Sequence, residues 1–201
     1  KHSGLELETN YAVNDMLDLM FVASFGNWKF DGDANGNYQE TEYNSEGQAI
    51  GYTTTEYAYA LDGLYVGDMP QTSYVLGVTL KPIKDLRIQA IHKMYDKNYS
   101  DWSPSAREFD GTNDDADRAQ VWEAPSYNRL DLHMSYKLPK VKDLDMMLTA
   151  NIFNVLDEVY VQDAVDNSQY NGYGSKQHLP HNAEVFLGTP RYANIGLSIG
   201  F

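Results

Sequence analysis

Apolar and polar residues alternate with a period of two along most of this chain, the pattern of β-strands whose two faces meet different surroundings. Leu5, Leu7, Thr9 and Tyr11 share one face, with Gly4, Glu6, Glu8 and Asn10 on the other. Leu17, Leu19, Phe21, Ala23 and Phe25 form a second row. Tyr74, Leu76, Val78 and Leu80 form a third, and Leu86, Ile88, Ala90 and Met94 a fourth, which His92 interrupts. The fifth is the cleanest: Leu130, Leu132, Met134, Tyr136 and Leu138 against Arg129, Asp131, His133, Ser135 and Lys137. The sixth sets Leu144, Met146, Leu148, Ala150 and Ile152 against Asp145, Met147, Thr149 and Asn151. The last runs Ala193, Ile195, Leu197, Ile199 and Phe201 against Asn194, Gly196, Ser198 and Gly200. Each segment is about ten residues long, enough for a tilted strand to cross a bilayer.

Period two alone fits two architectures. A soluble sandwich buries its apolar faces against each other, whereas a membrane barrel turns them to lipid and its polar faces to the lumen. The connections favour the barrel over the soluble sandwich. Short turns at 12–15, 82–85 and 139–143 alternate with long polar connections over 31–71, 98–125 and 155–190. Long structureless loops are uncommon in compact soluble domains, while short turns on one rim and long loops on the other mark outer-membrane barrels. Phe25, Trp28, Phe30, Tyr95, Tyr99, Trp102, Tyr127 and Tyr192 gather at the long-loop ends, and Tyr11, Tyr136 and Phe201 near the short turns, as two interfacial girdles would. Segment 52–66, "YTTTEYAYALDGLYV", has strand propensity, but as a spanning strand it would reverse the short/long order. It is expected within the first long connection, as a hairpin above the membrane. The expected fold class is all-β, an antiparallel transmembrane β-barrel segment of about seven strands from a larger barrel, with long extracellular loops.

Composition narrows the partners. The 201 residues carry a formal net charge of −14, which argues against nucleic acid. The absence of cysteine excludes disulfides, thiolate zinc sites and cysteine nucleophiles. No Ser-His-Asp order or paired-carboxylate cleft stands out, so an enzyme is not expected. About seven spanning strands do not close a bacterial barrel, which takes an even number of at least about eight. An open edge in hydrocarbon is expensive. Residues 1–201 are therefore expected to be the C-terminal portion of a larger barrel, completed by an earlier part of the same protein or by a separate chain.

"NIFNVLDEVY" (151–160) resembles the penultimate-strand motif of TonB-dependent outer-membrane receptors, and "GTPRYANIGLSIGF" (188–201) resembles that family's ending. "VGDMPQTSYVLGVTLKPIKDLRIQAIHKMYDKNYSDW" (66–102) is similar to the same region in receptors of Bacteroidetes-type bacteria. The resemblance implies a plugged barrel of about 22 strands in the outer membrane of a Gram-negative bacterium. Short turns would be periplasmic and long loops extracellular. It also implies import of an iron chelate, cobalamin, glycan or peptide, with TonB engaged through a plug-bearing part that precedes these residues. The alternative is a non-transporting barrel that anchors surface proteins such as a lipoprotein. Phe201, preceded by Ile199 and Leu197 at every second position, resembles the signal read by the barrel-assembly machinery.

One motif points to a metal. "DGDANGNYQETE" (31–42) follows the calcium-loop spelling, with Asp31, Asp33 and Asn35 as side-chain ligands, Gly36 at the turn, Asn37 offering its carbonyl and Glu42 closing the shell. Such an ion would staple an extracellular loop; the bland reading is a polar loop tip. "DGTNDDAD" (110–117) is acidic but lacks the turn glycine, and is expected to be a solvated loop. His178 and His181 in "HLPH" have ligand spacing, but Pro180 precludes a regular helix and no third ligand is near in sequence, so a plain loop is expected.

Overall fold

The computed structural model describes residues 1–109, 116–168 and 177–200. In chain order the strands are β1 (His2–Asn14), β2 (Leu17–Trp28), β3 (Ala34–Tyr43), β4 (Ala49–Tyr59), β5 (Thr72–Leu80), β6 (Leu86–Asp96), β7 (Asn98–Tyr99), β8 (Asp101–Trp102), β9 (Glu108–Phe109), β10 (Glu123–Ala124), β11 (Tyr127–Lys137), β12 (Asp145–Phe153), β13 (Val161–Asp166), β14 (Glu184–Leu187) and β15 (Tyr192–Gly200). One helical turn, α1 (Pro104–Arg107), lies between β8 and β9.

The seven expected segments form one antiparallel sheet in the order β1-β2-β5-β6-β11-β12-β15, with β1 and β15 at its edges. Register explains why a period-two sequence makes this wall. Tyr11 lies opposite Leu19, Leu19 opposite Val78, Val78 opposite Ala90, Ala90 opposite Leu132, Leu132 opposite Ile152 and Ile152 opposite Ala193. One apolar face thus crosses all seven strands, and a one-residue slip anywhere would turn a row of it over. The opposite face carries Thr79 beside Gln89, Gln89 beside His133, His133 beside Asn151 and Asn151 beside Asn194. These are joined by Gln89 to Thr79 (3.1 Å), His133 to Asn151 (2.8 Å) and Asn151 to Asn194 (2.8 Å).

The turns between β1 and β2, β5 and β6, and β11 and β12 are short. Asp85 (φ 66°) and Lys142 (φ 55°) take left-handed conformations in the latter two. At the opposite rim the connections are long and fold over one another. β3 and β4 form a hairpin closed by a turn at 44–48 and flanked by β9. Segment 52–66 therefore belongs to a hairpin as expected, but only its first half is strand. Beneath it, Leu61, Leu64, Tyr99 and Val121 form a hydrophobic core, packed against by Phe30, Ala34, Tyr59, Tyr65 and Trp102.

That core corrects the outer girdle. Tyr99, Phe30 and Trp102 pack inside the loop cap, because the connections bring enough apolar surface to bury them. Tyr95, Tyr127 and Tyr192 fall on the polar face by register, opposite one another or Phe153. Tyr127 stacks on Tyr160 at 4.3 Å and Tyr192 on Phe153 at 4.6 Å. Phe25 keeps the apolar face, edge-on to Tyr74 at 5.4 Å.

An arginine at Leu76, central in β5 and on the apolar face, should destabilise the intact barrel by about 2–4 kcal/mol. Lysine at Ser135 on the polar face should be tolerated. Denaturant unfolding of the whole receptor in detergent or lipid checks the contrast.

Candidate functional site

The polar face and the loop cap meet at the long-loop rim, and two polar clusters stand there, one on the wall and one in the cap. On the wall, Asp131 is 1% exposed. Its Oδ2 accepts from Lys93 Nζ at 2.9 Å, its Oδ1 accepts the Asn154 N–H at 2.9 Å, and Arg129 lies 3.7 Å away. Arg129 also donates to Tyr160 Oη at 3.0 Å. A buried carboxylate is tolerable only when its lone pairs are engaged by positive donors, and here β6, β11 and the start of the third connection supply them together.

Asn154, the second asparagine of "NIFN", is fully buried with φ 51°, a left-handed turn that asparagine accepts readily. Its side chain donates to the carbonyls of Glu158 (2.9 Å) and Thr189 (3.2 Å) and accepts the Glu158 N–H (3.0 Å). Asp157 Oδ1 accepts the Arg191 N–H at 2.9 Å. Gly188 runs against Tyr160, and a Cβ there would overlap the ring. The two C-terminal motifs are thus the two ends of one loop, locked to each other and to Asp131.

The loop cap holds a second polar constellation. Asp33 takes a bidentate grip from Arg118 (2.9 and 2.7 Å), and its Oδ1 also accepts the N–H groups of Leu61 and Asp62, each at 3.0 Å. The Arg118 hydrogen bond, with these amides, holds its carboxyl down at about 2 against desolvation. Deeper, Arg107 and Asp166 are each 1% exposed, and Asp117 and His178 are nearly as buried. Arg107 donates to the carbonyls of Asp117 (2.9 Å) and Ala119 (2.7 Å) and lies 3.4 Å from Asp166 Oδ2. His178 bridges the two carboxylates, Nδ1 to Asp166 and Nε2 to Asp117 at 3.0 Å. An open polar cavity of about 770 Å³ lies against the hairpin, lined by Asn35, Asn37, Glu56, Tyr57 and Phe109 among others.

The predicted sites fare differently. Residues 31–42 do not wrap one point. From Asn35 to Glu42 the chain is extended strand, spanning roughly 23 Å at the usual rise per residue. Asp33 is taken by Arg118, and Glu42 accepts from Thr53 across the hairpin. The structure thus does not bring Asp31, Asp33, Asn35, Asn37 and Glu42 together, because cross-strand pairing with β4 holds the backbone straight. Among the described residues no group of three or more His, Asp or Glu is placed to hold a metal ion. Of 110–117, residues 110–115 lie outside the described residues, while Asp117 is half-buried, its carboxylate held by Arg107 and His178. His178 is not a plain loop residue, and nothing local in sequence signalled its partners, which lie 12 and 61 residues away. Ile199 and Leu197 occupy the apolar face of β15; Phe201 lies outside the described residues.

A family model described as "TonB dependent receptor-like, beta-barrel" matches residues 1–155. Among solved structures, the chain is similar to the ferric-catecholate import receptor Fiu from E. coli K12 at 16% identity and a TM-score of 0.40. That match covers 99% of this chain and 27% of the other. No curated protein matches.

Asp131→Ala leaves Lys93, Arg129 and the Asn154 amide without their acceptor, and should cost about 3–5 kcal/mol in denaturant unfolding of the intact receptor. Arg118→Ala should raise proteolytic nicking between Phe30 and Asp62. Because the Asp33 carboxyl is depressed on folding, its contribution is complete above pH 3.8 and is lost as pH falls through about 2. Wild-type nicking should therefore approach the variant's only at that acid limit.

Proposed function

Because the chain belongs to the TonB dependent receptor-like β-barrel family, we propose that its wall and folded loops form part of an outer-membrane active transporter in a Gram-negative bacterium. The observation that carries this is the continuous seven-stranded face, apolar for lipid on one side and charged on the other, six of whose strands lie within the family-matched residues 1–155. The charged face would line the conduit and meet a plug supplied by the rest of the receptor. The cap would form the extracellular mouth, and energy would come through TonB contacting that remaining part. The cargo belongs to the nutrient classes such receptors take up: iron chelate, cobalamin, glycan or peptide.

Deleting the gene for the full receptor should abolish uptake of one of these four classes, and a protonophore should do the same in the parent strain. Undiminished uptake of all four, together with loss of a surface lipoprotein from the cell, would replace transport with an anchoring role.

A further inference from the structure

The Arg107, Asp117, Asp166 and His178 cluster lies outside the wall and joins the second and third long connections. Arg107 is on α1 and Asp117 follows β9, whereas Asp166 ends β13 and His178 precedes a short 3-10 turn (Pro180–Asn182). These two connections also meet where β13 pairs in parallel with β8, Val165 beside Asp101 and Asp166 beside Trp102. That contact is two residues long and is supplemented by Asn98 Nδ2 donating to the Gln162 carbonyl at 3.3 Å; the ionic cluster is the tie between them that carries charge.

We propose that His178 is a protonation-gated clamp that holds the second and third extracellular loops together, closed when its ring carries a proton and released when the proton leaves.

The geometry requires the proton. The imidazole meets a carboxylate at each nitrogen, Asp166 at Nδ1 and Asp117 at Nε2. A neutral ring has one N–H and would turn a lone pair toward the other carboxylate. With a proton on Nδ1 shared with Asp166, Arg107 NH2, 3.3 Å from Nδ1, is directed to that carboxylate rather than to the ring. Asp166 Oδ1 is buried with no hydrogen-bond partner among the described residues, which leaves its charge to be met through Oδ2. The charged groups facing the ring among the described residues are Asp166, Asp117 and Arg107. With His178 protonated the four charges cancel, and without the proton one negative charge is stranded in a buried site.

The Asp166 hydrogen bond raises the affinity of His178 for its proton above the ordinary 6.5, against desolvation and Arg107. A raised folded value means that the clamp is at full strength below pH 6.5 and is lost as pH climbs through the folded value. One proton allows the opening equilibrium to rise by at most about tenfold per pH unit in that window.

The test is hydrogen–deuterium exchange on the full receptor in detergent, from pH 5.5 to 9.5, normalised to an unstructured reference peptide. Wild-type peptides covering 98–109 and 161–168 should lose protection with rising pH while β11 does not. His178→Gln should be open in these peptides at every pH. Asp117→Asn, which keeps the side-chain volume, should still close but shift the transition to lower pH. Loop protection that is flat with pH in the wild type, or a transition unchanged in Asp117→Asn, would overturn the clamp. Should His178→Gln fail to assemble, the wild-type and Asp117→Asn profiles decide.

Discussion

The Asp131 carboxylate is the constraint on which the outer half of the wall depends. It sits on the polar face of β11, nearly sealed from solvent, and its charge survives there because Lys93, Arg129 and the Asn154 amide converge on it. Each partner comes from a different piece of chain. Lys93 ties β6 to β11, and Arg129 reaches Tyr160. Asn154 fixes where the chain leaves β12 and turns into the third connection. A hydrophobic residue could not do this, since it would leave the Asn154 amide and two cations unmet. The cost of burying one charge is offset by the number of segments it holds.

Beyond that level the loops cease to behave as loops. The first and second connections bury Leu61, Leu64, Tyr99 and Val121 under a three-stranded sheet, and so have a core of their own beyond the wall. Their polar ties differ in depth. The Asp33 and Arg118 pair is partly open to water, where salt weakens it. The Arg107 cluster lies deeper, with Arg107 and Asp166 each 1% exposed, so salt screens it less.

The wall was legible in the sequence because every strand has two environments, and each of the seven apolar rows falls on the face that alternation assigns it. The short turns were legible from Pro and Asp at 82–85 and 139–143. The cap was not. Its core draws on Leu61, Tyr99 and Val121, which have no common period, and its ionic cluster joins residues up to 71 apart. "DGDANGNYQETE" reads two ways for a related reason. Asp, Asn and Gly at those spacings serve an ion-wrapping loop and also the approach to a hairpin. What separates the two is Thr53, Thr54 and Thr55 on β4, directly opposite Glu40, Gln39 and Tyr38. "NIFN" and "GTPR" were recognisable as strings, but the reason for their pairing, one loop pinned at both ends, lies in Asn154 reaching Thr189.

The strands of the wall pair in the order in which they occur, and each hairpin is closed on the side of its short turn. Alignment between the two strands of a hairpin is therefore set within a few residues of chain, and the long connections contribute little to it. Such a wall tolerates drift in the cap. A loop can lengthen, shorten or be exchanged for another without sliding any strand, provided that it leaves the Asp131 and Asn154 anchor in place. The wall is in this sense a frame whose register does not depend on the surfaces it carries at its long-loop end.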